Sequence, residues 1–184
     1  MKWTLVSLEA QPAQSWRNGG GITRELLAWP QPADWRVRLS VADVQASGPF
    51  SRYDGVERWF VVLEGDGVVL RSDFARHHLT ADSEPFRFDG ALPMDCTLAS
   101  GPTRDFNLMA PPGLARMERV RGAAQVSGTP GALLALYTHD ADAQLRCGNE
   151  SVTVPAYHLA WTLAPAAVLA DVQGADALWM EVLE

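Results

Sequence analysis

The sequence predicts an all-β fold, a sandwich or barrel built as two halves that share one core. Short apolar segments recur along the chain, and clusters of Gly, Pro and Asp separate them. No long segment shows the 3.6-residue period of an amphipathic helix with caps at both ends, and residues 132–145 are the one stretch that a helix could also explain. The length of 184 residues suits one large β domain or two small halves.

The predicted boundary between the halves lies near residues 110–131, where turn formers and small residues replace the regular strand pattern. We expect a first half over residues 1–112, which carries the motifs described below, and a second half over residues 113–184. Because neither half is long enough to bury a stable core by itself, we expect the two halves to exchange strands.

The predicted strands, in chain order, span residues 1–8 at a sheet edge, then 35–44, 59–63, 68–70, 86–88, 96–98, 132–137, 151–154, 158–163 and 177–183. Residues 104–109 mix polar groups with large apolar ones. Within residues 35–44 the side chains alternate, with Trp35, Val37, Leu39 and Val41 on one face and Arg36, Arg38 and Ser40 on the other. This pattern is typical of a half-buried strand. Residues 64–67 predict a hairpin turn that joins 59–63 to 68–70, and residues 47–55 predict a loop.

Composition excludes several classes of partner and location. The net charge of -7 and the pI near 5.0 argue against nucleic-acid binding, which usually requires a basic face. No apolar run approaches the ~20 residues of a membrane-spanning helix, and the N-terminal residues do not resemble a signal peptide. We therefore expect a cytoplasmic protein with no membrane partner, in which Cys96 and Cys147 are small buried apolar residues.

A glycine-rich segment over residues 16–25 reads Trp-Arg-Asn-Gly-Gly-Gly-Ile-Thr-Arg-Glu. Gly19, Gly20 and Gly21 allow the backbone to bend closely around a polar group, and the flanking Asn18 and Thr23 can hydrogen-bond to it. We interpret the segment as a pocket wall, although a tight turn or bulge between two strands would use the same glycines. A phosphate-binding loop is excluded, because the glycines lead into neither Gly-Lys-Ser/Thr nor a helix.

Three blocks of sequence carry a family resemblance. Residues 60–67 look like the end of the first cupin motif, and residues 16–25, 48–58 and 104–109 together resemble the HutD/Ves family of small bacterial proteins. That resemblance implies a bicupin, which is two cupin-like barrels in one chain. It also implies a role in handling or sensing a small metabolite, because the best-known members are encoded with histidine-utilisation genes.

The resemblance to cupins allows a test for their usual metal site, which takes two His and a Glu from the first motif and one His from the second. Here the Glu position holds Arg58, the last His position holds Thr103, and the other two hold either Arg52 and Asp54 or Ser51 and Tyr53. Because a guanidinium repels a cation, we expect neither a metal nor another cofactor.

The four histidines also show no metal-binding spacing. We expect His77 and His78 in a surface loop, His139 at a turn, and His158 in a strand next to Tyr157.

Arg58 leads to a binding hypothesis instead. Its guanidinium offers forked donors that suit a carboxylate, and we expect Arg58, Asn18, Thr23 and Asn107 to surround an acidic or amide-bearing metabolite. Phe50 or Trp16 would wall one face, and the candidate set is completed by Ser51, Asp105 and the three glycines. In the alternative interpretation, Arg58 forms a structural ion pair with Asp54, Glu57 or Asp105.

The resulting prediction is a non-catalytic protein that senses or buffers a small anionic metabolite of histidine degradation, of the urocanate or N-formylglutamate class. The alternative is a metal-independent isomerase or epimerase that uses Tyr53 or Tyr157 with His158. A third class, an interaction module, would be favoured by a barrel filled with its own side chains. Strand edges in such folds often pair into homodimers, but the sequence does not locate an interface.

Overall fold

A computed structural model of the chain describes residues 1–183, except for the side chain of Ala175. The regular structure of these residues is entirely β, which confirms the predicted fold class. The described part of the chain contains no helix long and apolar enough to span a membrane. The chain divides into two compact units, one of residues 11–112 and the other of residues 1–10 together with those from Gly113 onward.

The strands, in chain order, are β1 Thr4–Ser7, β2 Ala13–Ser15, β3 Gly21–Trp29, β4 Val37–Val44, β5 Gly48–Pro49, β6 Glu57–Glu64, β7 Val68–Arg71, β8 Arg76–Leu79, β9 Phe86–Asp89, β10 Asp95–Leu98, β11 Thr103–Ala110, β12 Ala115–Gly128, β13 Leu133–Thr138, β14 Ala143–Cys147, β15 Glu150–Val154, β16 His158–Leu163 and β17 Val168–Val182.

The unit of residues 11–112 is a sandwich of two antiparallel sheets. One has six strands in the order β2-β3-β4-β11-β6-β9, and the other has four in the order β5-β10-β7-β8. Their apolar faces meet in one cluster, to which Phe60 and Phe88 contribute from the six-stranded sheet and Leu70 and Cys96 from the four-stranded one. The predicted alternation in β4 is present, with Val37 and Leu39 buried on one face of the strand.

The predicted hairpin between residues 59–63 and 68–70 is wrong. β6 pairs with β11 and β9, whereas β7 pairs with β10 and β8 in the other sheet. The connecting turn contains Gly65 and Gly67 at φ of +97° and +102°, which L side chains rarely adopt. A Cβ at Gly67 would lie 2.4 Å from the carbonyl oxygen of Leu79. The turn therefore leads the chain from one sheet into the other.

The second unit is built on a seven-stranded sheet in the order β1-β16-β13-β17-β14-β15, with β12 paired to β17. Its largest fully buried side chain is Trp179, which packs in a cluster of aliphatic residues. β1 pairs with β16, so residues 1–10 cluster with this unit, whereas the sequence boundary placed them in the first half. The edge position predicted for this strand is confirmed.

The segment expected to be a turn-rich break contains β12, a strand of 14 residues. Gly122, at φ +78°, marks a register shift relative to β17, so the small residues produce a bulge within a long strand. Residues 132–145 form β13 and the start of β14, in agreement with the strand interpretation. His77 and His78 lie in β8, so the prediction of a surface loop at these histidines is wrong. The short strand β5 lies within residues 47–55, which were predicted as a loop.

Candidate functional site

The unit of residues 11–112 encloses a cavity of about 570 Å³ over one face of the six-stranded sheet. The cavity is lined by Gln14, Ser15, Trp16, Arg17, Asn18, Thr23, Arg38, Ser40, Ala42, Val44, Pro49, Phe50, Ser51, Tyr53, Arg58, Phe60, Asp105, Asn107 and Met109. Its volume lies within the range of small-molecule sites.

Strand register explains why these side chains meet. Arg38 on β4 lies opposite Met109 on β11, and Met109 lies opposite Arg58 on β6. Residues opposite each other in antiparallel strands share a face of the sheet, so the two arginines belong to one row across the cavity floor. Ser40, Asn107 and Phe60 form the neighbouring row by the same rule, two residues along each strand.

Arg58 is the central cation of the cavity. It is only 5% exposed, and its Nη2 donates a 2.7 Å hydrogen bond to Asn107 Oδ1. Its Nη1 donates a longer hydrogen bond of 3.5 Å to the carbonyl oxygen of Ser51. Its Nε has no hydrogen-bond partner within the described part of the chain. The guanidinium therefore keeps donor capacity that the protein does not use.

Two aromatic rings lie close to this guanidinium. The Arg58 Cζ atom lies 4.7 Å from the centroid of the Phe50 ring and 5.1 Å from that of the Phe88 ring. These cation–π contacts stabilise the buried charge. A carboxylate would bind the unused N–H donors of the guanidinium, which lie in the plane of the group.

No carboxylate neutralises Arg58 in an ion pair among residues 1–183, so the structural ion-pair interpretation is wrong for the described chain. Glu57 pairs with Arg87 instead, and Asp105 accepts from Thr103. Burial lowers the pKa of Arg58 to about 10, with Arg38 lowering it further and Tyr53 opposing the shift. Arg58 thus remains a cation at neutral pH.

Arg38, the second arginine of the row, is compensated. Its Nε donates a 2.7 Å hydrogen bond to Glu25 Oε2 in a partly buried ion pair. The ion pair of Arg38 and Glu25 carries no net charge. Of the two arginines in the row, only Arg58 therefore has a positive charge that no carboxylate of the described chain balances.

Asp105 is a carboxyl group with no accessible surface. Its Oδ2 accepts a 2.9 Å hydrogen bond from Thr103 Oγ1, while its Oδ1 has no partner in residues 1–183. Burial raises the pKa of Asp105 to about 7; Asp43 contributes to the rise, and the hydrogen bond from Thr103 opposes it. Asp105 therefore titrates near neutral pH.

The glycine-rich segment forms a compact turn beside the cavity. The Trp16 Nε1 donates to Thr23 Oγ1 at 2.8 Å, and the Gly20 N–H donates to Asn18 Oδ1 at 3.0 Å. A Cβ at Gly21 would lie 2.6 Å from the carbonyl oxygen of Asp43, so this glycine permits close approach of β3 to β4. The contacts fit the turn interpretation of the glycines, while the polar and aromatic residues of the segment reach the cavity.

The structure brings eight of the predicted site residues to the cavity wall: Trp16, Asn18, Thr23, Phe50, Ser51, Arg58, Asp105 and Asn107. Gly19, Gly20 and Gly21 are not among the lining residues. The prediction missed Arg38, Ser40 and Tyr53 as lining residues. The alternation in β4 contained the signal for Arg38 and Ser40, because it placed both on the face that turned out to border the cavity.

The lining residues do not fit a divalent metal ion. No histidine of the described chain lines the cavity, and three arginines do, Arg17, Arg38 and Arg58. Among residues 1–183, no group of three or more His, Cys, Asp or Glu side chains is placed to hold a metal. The acid–base pairs considered from sequence are also not assembled in this cavity, because Tyr157 and His158 belong to the other unit and only Tyr53 lines it.

The antiparallel sandwich around a cavity is a cupin-like architecture. In the described chain its cavity holds a buried arginine and no group of metal-binding side chains. An oxalate decarboxylase from Lactobacillus farciminis is similar in fold, with a TM-score of 0.70 at 8% identity over 97% of this chain and 86% of that chain. The cupin-like fold class is thus confirmed.

The chain belongs to the HutD family, because the family model of HutD matches residues 8–180. This confirms the resemblance seen in the three sequence blocks. An uncharacterized 21.2 kDa protein in the hutC 3' region of Pseudomonas putida is 36% identical over 110 residues, which are 59% of this chain and 58% of that protein. Protein Ves of Cronobacter sakazakii is 33% identical over 124 residues, 67% of this chain and 66% of that protein. The matched segments thus span less than two thirds of these relatives.

Two solved structures match over the full length of both chains. A conserved protein of unknown function from Pseudomonas aeruginosa PAO1 has a TM-score of 0.87 at 28% identity. HutD from Pseudomonas fluorescens SBW25, determined in a formate condition, has a TM-score of 0.84 at 27% identity.

Proposed function

We propose that the cavity of residues 11–112 binds a small organic carboxylate and that the protein senses or buffers this metabolite without transforming it. The observation that carries the proposal is Arg58, a buried guanidinium with no carboxylate partner among the described residues, on the wall of a 570 Å³ cavity. A bound carboxylate would supply both the missing negative charge and the in-plane acceptor oxygens.

The charges of the site support binding of an anion. Arg38 and Glu25 neutralise each other, and Asp105 is a neutral acid below about pH 7, so the positive charges of the buried Arg58 and the exposed Arg17 remain beside the cavity. A charge that is removed from bulk water is costly unless it is paired. An anionic ligand would offset that cost.

The apolar part of the lining supports an organic ligand. Trp16, Phe50, Tyr53 and Phe60 line the same cavity as the polar groups, and aromatic walls favour a planar ligand body. Urocanate and N-formylglutamate, both carboxylates of histidine degradation, represent the class we propose. The position of the Pseudomonas putida relative in the hutC 3' region supports a link to histidine utilisation.

Isothermal titration calorimetry with urocanate and with N-formylglutamate tests the proposal. We expect saturable binding by the natural protein and a loss of roughly 100-fold in affinity in Arg58→Met, since truncating one partner of a buried charge-assisted pair removes about 2–5 kcal/mol. The control is Arg87→Met on β9, which removes an exposed arginine that does not line the cavity. Equal affinities of Arg58→Met and the natural protein would remove Arg58 from the site.

A further inference from the structure

We propose that Asp105 is a specificity-determining residue for the anion: as a neutral acid it admits a carboxylate to the cavity, and as a carboxylate it repels one. Binding of the anion is then coupled to the uptake of a proton by Asp105. This inference rests on the proposed anion-binding function and adds to it a dependence on proton concentration.

The position of Asp105 carries the inference. It lies two residues before Asn107 on β11, and both residues line the cavity that contains Arg58. Since alternate residues of a strand share a face of the sheet, Asp105 lies on the same cavity floor as Asn107, which is hydrogen-bonded to Arg58. The carboxyl group has no accessible surface, so water does not screen its charge from an anion bound beside it.

The hydrogen bonding of Asp105 leaves room for a proton. Thr103 donates to Oδ2, and Oδ1 has no partner among the described residues. No arginine or lysine forms an ion pair with Asp105 in residues 1–183, unlike Asp43, which is held by Arg24 and Arg104. A buried carboxyl without a cationic partner is stabilised in its neutral form.

The charged and titratable groups of the surrounding elements are Arg17 in the glycine-rich segment, Glu25 on β3, Arg38 and Asp43 on β4, Tyr53 in the loop after β5, Arg58 and Glu64 on β6, Cys96 on β10 and Arg104 on β11 itself. Burial raises the pKa of Cys96 to about 12, and Arg58 keeps its charge up to about pH 10. Burial raises the pKa of Asp105 to about 7. We therefore expect Asp105 to change charge between about pH 6 and about pH 8.

Two carboxylates that share a buried site do not ionise together without a large energetic penalty. When Asp105 is ionised, a carboxylate binds either after Asp105 has taken up a proton or against the repulsion of the negative charge on Asp105. In the limit of full exclusion, the affinity follows the neutral fraction of Asp105. For a pKa of about 7, this fraction falls about tenfold from pH 6 to pH 8.

The test uses 3-(2-furyl)acrylate and formate as probes, because each has only one titrating group and that group stays ionised above about pH 6. Calorimetry of the natural protein is expected to show an affinity roughly tenfold lower at pH 8 than at pH 6 for each probe that binds. Titration near pH 7 in two buffers of different ionisation enthalpy is expected to show net proton uptake on binding. Asp105→Asn keeps a polar side chain of the same size and is expected to change its affinity less than about twofold between the two pH values.

The matched control is Asp95→Asn, an exposed carboxylate of β10 that does not line the cavity; it should keep the pH dependence of the natural protein. Equal affinity at both pH values, or the absence of proton uptake, would overturn the coupling but leave the anion site intact. Persistence of the pH dependence in Asp105→Asn would assign the proton to another group. Should Asp105→Asn fail to fold, Thr103→Val takes its place: it removes the hydrogen bond that lowers the pKa of Asp105, so the loss of affinity should move to higher pH, and an unmoved pH profile would overturn the assignment to Asp105. If neither probe nor either proposed metabolite bound at either pH, the proposed function itself would be overturned.

Discussion

Arg58 on β6 and Asn107 on β11 are joined by a 2.7 Å hydrogen bond across two adjacent strands of the six-stranded sheet. The amide of Asn107 orients the guanidinium but carries no charge, so the bond fixes the cation without neutralising it. A binding site prepared for an anion requires this combination of fixed geometry and unbalanced charge.

The first prediction concerns the stability of Arg58→Met. Burial lowers the pKa of Arg58 from 12.5 to about 10, which means that the fold disfavours its charged form by about 3 kcal/mol at neutral pH. Replacement by Met removes this penalty but also the cation–π contacts and the hydrogen bond to Asn107. We expect the free energy of unfolding, measured in urea without ligand, to stay within about 1 kcal/mol of the natural protein.

Most truncations of a fully paired buried charge cost about 3–5 kcal/mol. A loss of that size in Arg58→Met would show that Arg58 stabilises the fold rather than being kept unpaired for a ligand.

The second prediction concerns the pH dependence of stability. The pKa of Asp105 rises from 3.8 to about 7 on folding, so the folded chain binds more protons between these values than the unfolded chain. The stabilisation is fully present below about pH 4 and is lost as the pH rises through about 7, by about 4 kcal/mol in total.

The measurement is the difference in unfolding free energy between the natural protein and Asp105→Asn at several pH values, because this difference isolates the contribution of Asp105. We expect this difference to move in favour of Asp105→Asn as the pH increases. A constant difference would mean that Asp105 ionises normally in the fold.

The third prediction separates the roles of two neighbouring glycines. Gly21→Ala would place a Cβ 2.6 Å from the Asp43 carbonyl oxygen and 3.3 Å from the Trp16 ring. Because backbone cannot easily move away, we expect a loss of about 1–3 kcal/mol in the free energy of unfolding. Gly20→Ala is the matched control, since its Cβ would meet only the side chain of Asn18 at 3.3 Å, and its loss should stay below about 1 kcal/mol. Equal losses would refute the close-approach explanation.

The fourth prediction addresses catalysis. Tyr53 lines the cavity, and its ring packs edge-on against Trp35. We expect Tyr53→Phe to bind urocanate within about threefold of the natural affinity, and NMR spectra of urocanate incubated with the natural protein to show no conversion. Turnover that Tyr53→Phe abolishes while binding persists would instead establish the metal-independent enzyme.

The sequence was sufficient to predict the all-β class, because period-two alternation and turn residues are local properties. The same alternation in β4 separated Val37 and Leu39 from Arg38 and Ser40, but only the structure showed that the face of Arg38 and Ser40 borders the cavity. The predicted partner of β7 was wrong, because positive φ angles at Gly65 and Gly67 send the chain into another sheet, and turn residues alone do not reveal that direction.

The sequence also directed attention to Arg58, because the resemblance to cupins placed this residue at the position of their metal-binding Glu. What only the tertiary structure decided was which groups pair. Glu57 pairs with Arg87, Glu25 with Arg38, and Thr103 with Asp105, so the charge of Arg58 is left unbalanced within the described chain. The physical reason is that pairing and burial depend on strand register across β4, β11 and β6, which brings together residues far apart in sequence.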